Sequence, residues 1–302
     1  MKLPDFLVIG AQKSGTTSLF AMLSKHPQLF LPARKEVQFF SSPMLYPKGL
    51  DWYAQEFFAT CPPGRLAGEV SPQYMYSTEI ARRVHNALPK AKIIAILREP
   101  IDRAWSHYLM TRRRGQESRS PEEAFAAALD TDETDTEAPE STRYFQFGDY
   151  ERVLMEYMQL YGRDNILILF QEDLDKRPEV VIRQVCSFLG IDKVIPENVG
   201  VRVHQSGDIR FKALGRLTKE DNLVRRVLRA FVPRRLRPTI VFWTEMLNIR
   251  PAKEKTEMPE TLRHDFNHFA QRQAAFLERE FGLAPPWPAV IGAITACPPE
   301  NE

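Results

Sequence analysis

The feature that most constrains the fold is a short apolar run that leads directly into a glycine-bounded loop and then into a helix pattern. Residues 6–9 read FLVI, the next eight read GAQKSGTT, and apolar residues at 19, 20, 22 and 23 define an amphipathic helix that stops before Pro27. A continuous apolar run of this kind predicts a strand covered on both faces. The chain therefore begins as strand, turn and helix, the unit from which parallel α/β sheets are built.

Two later apolar runs repeat this arrangement. Residues 92–97 (KIIAIL) precede a helix pattern that begins near Pro100, and residues 165–170 (NILILF) lie between two further helix patterns. Residues 262–281 have helical periodicity, and the C-terminal third contains no obvious strand. The chain contains no internal repeat and no Gly/Ser linker. We therefore predict one α/β domain over 1–302, with a central, mostly parallel sheet flanked by helices and a helical C-terminal elaboration.

The near-neutral net charge of +2 hides two oppositely charged segments. Residues 117–140 hold nine acidic residues and one basic residue, whereas residues 202–237 hold eleven basic and three acidic residues. We predict an acidic, mobile loop over 117–142 and a basic, lid-like segment over 202–250. Within the latter, the helix pattern at 223–237 is compatible either with a packed lid or with a membrane surface or acidic partner. We expect no nucleic-acid partner.

Cysteine usage and the N-terminus restrict the class of protein further. The three cysteines form no CxxC pair, which argues against a zinc site and against a disulfide framework, so we predict no metal. The first apolar run has four residues, too few for the apolar core of a signal peptide or for a membrane span. We therefore expect a cytoplasmic protein.

The loop after the first strand predicts an anion site. It matches the phosphate-loop pattern G-x-x-x-x-G-K-[ST] except that Thr16 stands at the lysine position. Consecutive backbone N–H groups at a helix N-terminus hold phosphate or sulfate. Lys13, earlier in the loop, can reach a different ligand oxygen than the usual lysine does. An ordinary Gly/Ser turn that caps a helix is the alternative.

The end of the second buried strand indicates which ligand this loop serves. A P-loop NTPase usually has an aspartate there that helps to hold Mg²⁺, but this chain has Arg98. A guanidinium at this place favours a metal-free site that binds additional negative charge, and Ser106 lies about two helical turns further on. The alternative is that Arg98 merely pairs with Glu99 or Asp102.

Two further segments hold candidates for the acceptor side. Glu36, in KEVQFF, is a candidate general base, unless it is a surface glutamate paired with Lys35 or Arg34. The loop-like stretch GEVSPQYMY over 68–76 combines carboxylate, hydroxyl and phenol groups, which suggests contact with a substrate.

Six segments together resemble a known family. They read FLVIGAQKSGTTSLFAMLSKHP, KEVQFF, GEVSPQY, IIAILREPIDRAWSHY, LILFQEDL and HQSGDIRFKALGRL. Along most of residues 4–285 the chain resembles the sulfotransferases that use 3′-phosphoadenosine 5′-phosphosulfate (PAPS), in particular their bacterial and heparan-sulfate-like branch. The resemblance implies a three-layer relative of the P-loop NTPase fold. It also implies metal-free, in-line transfer of a sulfuryl group to an acceptor hydroxyl, which leaves adenosine 3′,5′-bisphosphate (PAP).

The resemblance also implies roles for single residues. Arg98 and Ser106 match residues that bind the 3′-phosphate, and Glu36 matches the glutamate that deprotonates the acceptor. Lys13 is expected near the bridging oxygen of the donor, where it acts with Glu36 in catalysis. Arg210, in the late basic loop, is expected to contact the nucleotide. The residues expected around the 5′-phosphosulfate are Lys13, Ser14, Gly15, Thr16, Thr17 and Ser18. Those expected at the acceptor are Gln38, Glu69, Ser71 and Tyr74.

Two departures from that branch affect the expected acceptor. Gln38 stands where the branch often has a histidine, and Val70 stands where it often has a lysine. Both changes remove positive charge, so a highly anionic glycan is not supported. A carbohydrate, a glycolipid or a natural-product alcohol stays open as acceptor. The competing hypotheses are a P-loop kinase that uses ATP, which Thr16 and Arg98 disfavour, and a non-enzymatic protein that binds anionic partners through 223–237.

Overall fold

The computed structural model of this chain describes residues 1–129, 143–195, 207–209, 249–251 and 257–287. The strands of its central sheet are β1 (Phe6–Gly10), β2 (Leu29–Phe30), β3 (Leu66–Val70), β4 (Lys92–Leu97) and β5 (Ile166–Phe170). They lie in the order β2-β3-β1-β4-β5, and every neighbouring pair is parallel. The three apolar runs that predicted strands are β1, β4 and β5, so the parallel α/β prediction is confirmed.

Helices cover both faces of this sheet because successive strand residues point to opposite sides. Phe6 and Val8 of β1 pack with the helices over 16–23 and 178–189, whereas Leu7 and Ile9 pack with those over 78–87, 150–161 and 267–281 on the other face. The result is the predicted three-layer architecture. The helices are α1 (Thr16–Leu23), α2 (Gly49–Phe57), α3 (Thr78–Ala87), α4 (Pro100–Arg113), α5 (Pro121–Leu129), α6 (Tyr150–Tyr161), α7 (Gln171–Lys176), α8 (Pro178–Leu189), α9 (Glu260–Asp265) and α10 (Asn267–Phe281).

Part of the predicted acidic loop is a helix instead. Residues 121–129 form α5, and its buried Phe125 packs in a third apolar cluster with α4 and α9. Ser120 and Glu123 form a reciprocal capping box, in which each backbone N–H donates to the other side chain, at 2.9 and 3.2 Å. The acidic residues of the first turn favour the helix N-terminus, so their charge does not indicate a loop. Residues 130–142 lie outside the described residues.

The C-terminal third contains both predicted and unexpected elements. The helix pattern over 262–281 is confirmed as α9 and α10. A short antiparallel pair, β6 (Gly207–Ile209) and β7 (Ile249–Pro251), stands where we predicted no strand. Most of the basic segment 202–250, including 223–237 and Arg210, lies outside the described residues. In the described part of the chain, no helix is both long and apolar enough to cross a membrane.

The order of the strands determines where a ligand can bind. The carboxyl ends of β3, β1 and β4 lie side by side, and in parallel α/β sheets ligands bind beyond these ends. The loops that leave the three strands carry Lys13, Ser71 and Arg98. The sheet therefore brings together three segments that are 27 or more residues apart in the sequence.

Candidate active site

The loop between β1 and α1 presents the first turn of a helix to the site. Gly15 precedes α1 in a left-handed conformation, with φ of 88°, and no side chain caps the helix. The first N–H groups of a helix have no acceptor within it. Gly10 lets the loop pass close to Met75, since a Cβ at Gly10 would lie 2.7 Å from the Met75 sulfur. The backbone of residues 15–18 can therefore donate to an anion.

The Ser14 hydroxyl is a second group that could donate to an anion. The Ser14 side chain is fully buried, and its Oγ has no hydrogen-bond partner in the part of the chain that the structure describes. Buried hydroxyl groups almost always have a partner. An unpaired hydroxyl beside the N-terminus of α1 fits an oxygen atom of a phosphate or sulfate group.

Lys13 lies in a strongly cationic environment. It adopts a left-handed conformation, with φ of 71°. Burial, followed by the charges of four arginines, lowers the pKa of its ammonium group from 10.5 to about 7. The four arginines are Arg113, Arg114, Arg98 and Arg103. Such an accumulation of positive charge is unfavourable in the absence of an anion, so a bound anion would restore the usual charge of Lys13.

Arg98 lies between β4 and α4, and its side chain contacts the loop between β1 and α1. Its Nη1 donates to the Lys13 carbonyl oxygen over 3.4 Å, and the Tyr150 hydroxyl donates to the Arg98 carbonyl oxygen over 2.8 Å. The alternative that Arg98 pairs with Glu99 or Asp102 is not realised, because both carboxylates pair with Arg263 of α9. Ser106, two turns further along α4, is partly exposed.

Glu36 has the environment of an ionised carboxylate. It pairs with Lys35, and the Gln73 side-chain amide donates to its Oε2 over 3.1 Å. Burial raises the pKa of Glu36, but Lys35 and Gln73 outweigh it and hold the pKa below the ordinary value. The side chain is still 36% exposed. The predicted pairing with Lys35 is therefore present, and the carboxylate is also accessible to a proton donor.

The segment around Glu36 is held by buried polar groups of the β3 loop. Glu36 and Gln38 have φ of 60° and 59°, an uncommon conformation for residues other than glycine. The Glu36 N–H donates to the Val70 carbonyl oxygen over 3.1 Å, and the Gln38 N–H donates to Ser71 Oγ over 3.2 Å. The Gln38 side chain is partly exposed, as an acceptor contact requires.

The other three residues expected at the acceptor, Glu69, Ser71 and Tyr74, form a polar cluster beside the Glu36 segment. All three side chains are buried, and the Glu69 carboxylate accepts hydrogen bonds from Ser71, from Tyr74 over 2.7 Å, and from Tyr53. Burial raises the pKa of Glu69. The Tyr74 hydroxyl also accepts from the Phe40 N–H, over 3.4 Å. The polar atoms of these side chains bind one another, and Ser71 also accepts from the Gln38 N–H. The cluster therefore holds the Glu36 segment in place.

Four residues near Glu36 and Lys13 were not predicted from the sequence. Gln73 orients Glu36, and Arg103, Arg113 and Arg114 of α4 and its end add positive charge near Lys13. Their signal was present as arginines at helical spacing after Arg98, but only the packing of α4 shows which of them face the loop. Among the described residues, no group of three or more His, Cys, Asp and Glu side chains could hold a metal ion.

Comparison with known proteins identifies the family to which this chain belongs. A family model described as the sulfotransferase domain matches residues 3–205, about two thirds of the chain. The chain therefore belongs to the sulfotransferase domain family. The sheet with helices on both faces, together with the phosphate-loop-like turn after β1, forms the P-loop-like fold of that family.

The relatives with similar sequences are larger proteins. The mouse bifunctional heparan sulfate N-deacetylase/N-sulfotransferase 4 is 36% identical over 206 residues, which cover 63% of this chain and 22% of that protein. The membrane-associated sulfotransferase kil1 of Dictyostelium discoideum is 38% identical over 121 residues, covering 39% and 25%. The chain thus spans about a quarter or less of the length of these curated relatives.

Solved structures extend the likeness over nearly the whole chain. A sulfotransferase from Alicyclobacillus acidocaldarius superposes with a TM-score of 0.66 at 25% identity, and covers 92% of this chain and 96% of its own. The mouse sulfotransferase SULT7A1, complexed with PAP, has a TM-score of 0.50 at 15% identity, with 91% and 86% covered. At that identity the second likeness supports the fold alone.

Proposed function

We propose that this protein transfers the sulfuryl group of PAPS to a hydroxyl group of an acceptor. The observation that carries the proposal is the environment of Lys13, whose pKa is lowered to about 7 by burial and by four arginines. An anionic ligand removes that strain, and the unpaired Ser14 hydroxyl beside the N-terminus of α1 offers it a further donor. Membership of the sulfotransferase domain family supports the same ligand.

The chain has two groups of residues that suit the two ends of PAPS. The first comprises the Lys13 and Ser14 side chains with the backbone N–H groups up to Ser18, which would hold the 5′-phosphosulfate. Arg98 and Ser106 form the second and would hold the 3′-phosphate. The contact between Arg98 Nη1 and the Lys13 carbonyl oxygen supports this division, since it joins the two groups without occupying both ends of the guanidinium.

Glu36 and Lys13 would carry the proton and charge transfers. When bound, PAPS supplies an activated sulfuryl group whose leaving group is a phosphate. Glu36, ionised at neutral pH because Lys35 and Gln73 lower its pKa, takes the proton of the acceptor hydroxyl. Lys13 and the amides of α1 stabilise the negative charge that grows on the departing phosphate oxygen. The products are a sulfate ester and PAP.

A carbohydrate, a glycolipid or a natural-product alcohol would serve as acceptor. Several relatives are named as heparan sulfate N-deacetylase/N-sulfotransferases, which favours a carbohydrate hydroxyl or amine. The partly exposed side chains of Glu36 and Gln38 are the groups we expect to face it.

Transfer of labelled sulfur tests this proposal. The purified protein is incubated with [³⁵S]PAPS in EDTA and with a panel of sugars, amino sugars, desulfated glycans and simple alcohols, and labelled product and PAP are quantified. We expect transfer without added metal, and its loss in Glu36→Gln. Glu280→Gln is the matched control, because Glu280 pairs with Arg279 at the end of α10, near Arg163 and the amino end of β5, at the opposite edge of the sheet from the site. Phosphate transfer from ATP and Mg²⁺, with none from PAPS, would contradict the proposal.

A further inference from the structure

The turn that carries Arg98 is clamped by three separate elements. The Tyr150 hydroxyl of α6 donates to the Arg98 carbonyl oxygen over 2.8 Å. The Glu99 N–H donates to Glu172 Oε1 of α7 over 3.1 Å. From α9, Arg263 reaches Glu99 Oε2, with Nη1 at 3.6 Å, and also binds Asp102. The first two contacts involve the backbone of Arg98 and Glu99, whereas the contact from α9 joins charged side chains only.

Two carboxylates immediately follow Arg98 and could capture its guanidinium. Glu99 is adjacent in sequence, and Asp102 is in the first turn of α4. The Glu99 carboxylate is fully buried and already caps α4, since its Oε2 accepts from the Asp102 N–H over 2.6 Å. Burial, followed by the negative charge of Asp102, raises the pKa of Glu99 to about 7. Arg98 lies one position from Glu99 and four from Asp102, whereas Arg103, the other arginine beside this pair, donates to the Tyr144 carbonyl oxygen.

In the structure that partner is Arg263 rather than Arg98. Arg263 binds Asp102 and lies near Glu99, whereas Arg98 Nη1 donates to the Lys13 carbonyl oxygen. A carboxylate paired with one guanidinium attracts a second one less strongly, because the two positive charges repel each other. The side chain of Arg98 is thereby directed to the anion loop.

We infer that Arg263 is a positioning residue that sequesters Glu99 and Asp102, so that Arg98 remains available to bind the 3′-phosphate of the nucleotide. The inference rests on the proposed function. It adds to it a role for α9, which lies outside the residues 3–205 that the family model matches. The C-terminal helices would then contribute to nucleotide recognition without touching the nucleotide.

Nucleotide binding by charge-altered variants tests the inference. Calorimetry gives the affinities of PAP and of adenosine 5′-monophosphate, which lacks the 3′-phosphate, for each protein. In Arg263→Met we expect PAP affinity to fall about tenfold or more, as for the loss of a charge-assisted contact, with little change for the monophosphate. In the double variant Arg263→Met, Asp102→Asn we expect most of the lost PAP affinity to return, because one competing carboxylate is gone.

The controls separate this role from a general loss of structure. Arg279→Met removes an exposed arginine of α10 that pairs with Glu151 over 3.1 Å, and should leave both affinities unchanged. Thermal unfolding verifies that each variant is folded. Equal losses for the two nucleotides, unchanged PAP affinity in Arg263→Met, or failure of the double variant to recover would overturn the inference. Failure of the unaltered protein to bind PAP would instead overturn the proposed function, and this inference with it.

Discussion

Lys13→Met should stabilise the nucleotide-free protein while weakening its hold on the nucleotide. The pKa of Lys13 falls from 10.5 in the unfolded chain to about 7 in the folded one, mainly through burial and then through nearby arginines. At about 1.4 kcal/mol per pKa unit, the charged ammonium costs the folded protein at most about 5 kcal/mol below pH 7. Methionine has a similar shape and no charge, so the variant avoids this cost.

The pH dependence of this effect follows from proton counting. Between pH 7 and pH 10.5 the unfolded wild-type chain holds the Lys13 proton and the folded one does not, so the free energy of unfolding rises with pH in this range. The stability advantage of Lys13→Met is therefore greatest below pH 7 and shrinks by about 2–3 kcal/mol between pH 7 and pH 9. Urea unfolding of both proteins at a series of pH values measures it, since other titrating groups cancel in the difference.

Calorimetry of PAP binding provides the second half of the test. At pH 8 most Lys13 side chains of the nucleotide-free protein are neutral, and the bound anion should recharge them, so wild type takes up close to one proton that Lys13→Met does not. Titrations in two buffers of different ionisation enthalpy give this number. Equal proton uptake by the two proteins, or a variant less stable than wild type at pH 6, would refute the reasoning.

Three other substitutions test single groups of the site. Glu36→Gln should lower turnover by about 10²–10⁴-fold and leave PAP affinity unchanged, because only proton abstraction is lost; steady-state rates that match wild type would contradict the base assignment. Ser14→Ala should raise the free energy of unfolding by about 1 kcal/mol, because it removes a buried hydroxyl that has no partner among the described residues, and it should weaken PAP binding. If urea unfolding and calorimetry showed that stability and PAP affinity both rise or both fall, an anion at Ser14 would be contradicted. Glu69→Gln should destabilise the protein by about 1–3 kcal/mol, because three hydroxyl donors lose their carboxylate; urea unfolding with no change would contradict its supporting role.

Three of the five strands and the turn after β1 could be predicted from local sequence, whereas β2 and β3 were missed, because β2 has two residues and β3 contains Gly68 and Glu69 instead of a continuous apolar run. Continuous apolar runs bounded by turns mark buried parallel strands, and β1, β4 and β5 are where these runs predicted them. Helix α5 was missed because we assigned all of 117–142 from its net charge, to which α5 contributes only Glu122 and Glu123. The capping box of Ser120 and Glu123, and the apolar stripe that includes Phe125, were readable in the sequence and outweigh the charge.

The roles of the polar residues were harder to predict because they depend on contacts between distant segments. Nothing near Glu69 in sequence announces that Tyr53, from α2, will donate to it and that the carboxylate will be buried. Similarly, the adjacent Glu99 was a reasonable partner for Arg98 until the fold brought Arg263 to it from 164 positions away. Spacing identified which chemistry was present, whereas packing decided which groups carry it.

Equilibrium binding of two nucleotides shows whether Arg98 recognises a 3′-phosphate. In EDTA, we expect the protein to bind PAP at least tenfold more tightly than adenosine 5′-monophosphate, as for one charge-assisted contact to the 3′-phosphate, and we expect Arg98→Met to abolish this preference. Equal affinity for the two nucleotides, or binding only of ATP with Mg²⁺, would contradict this expectation.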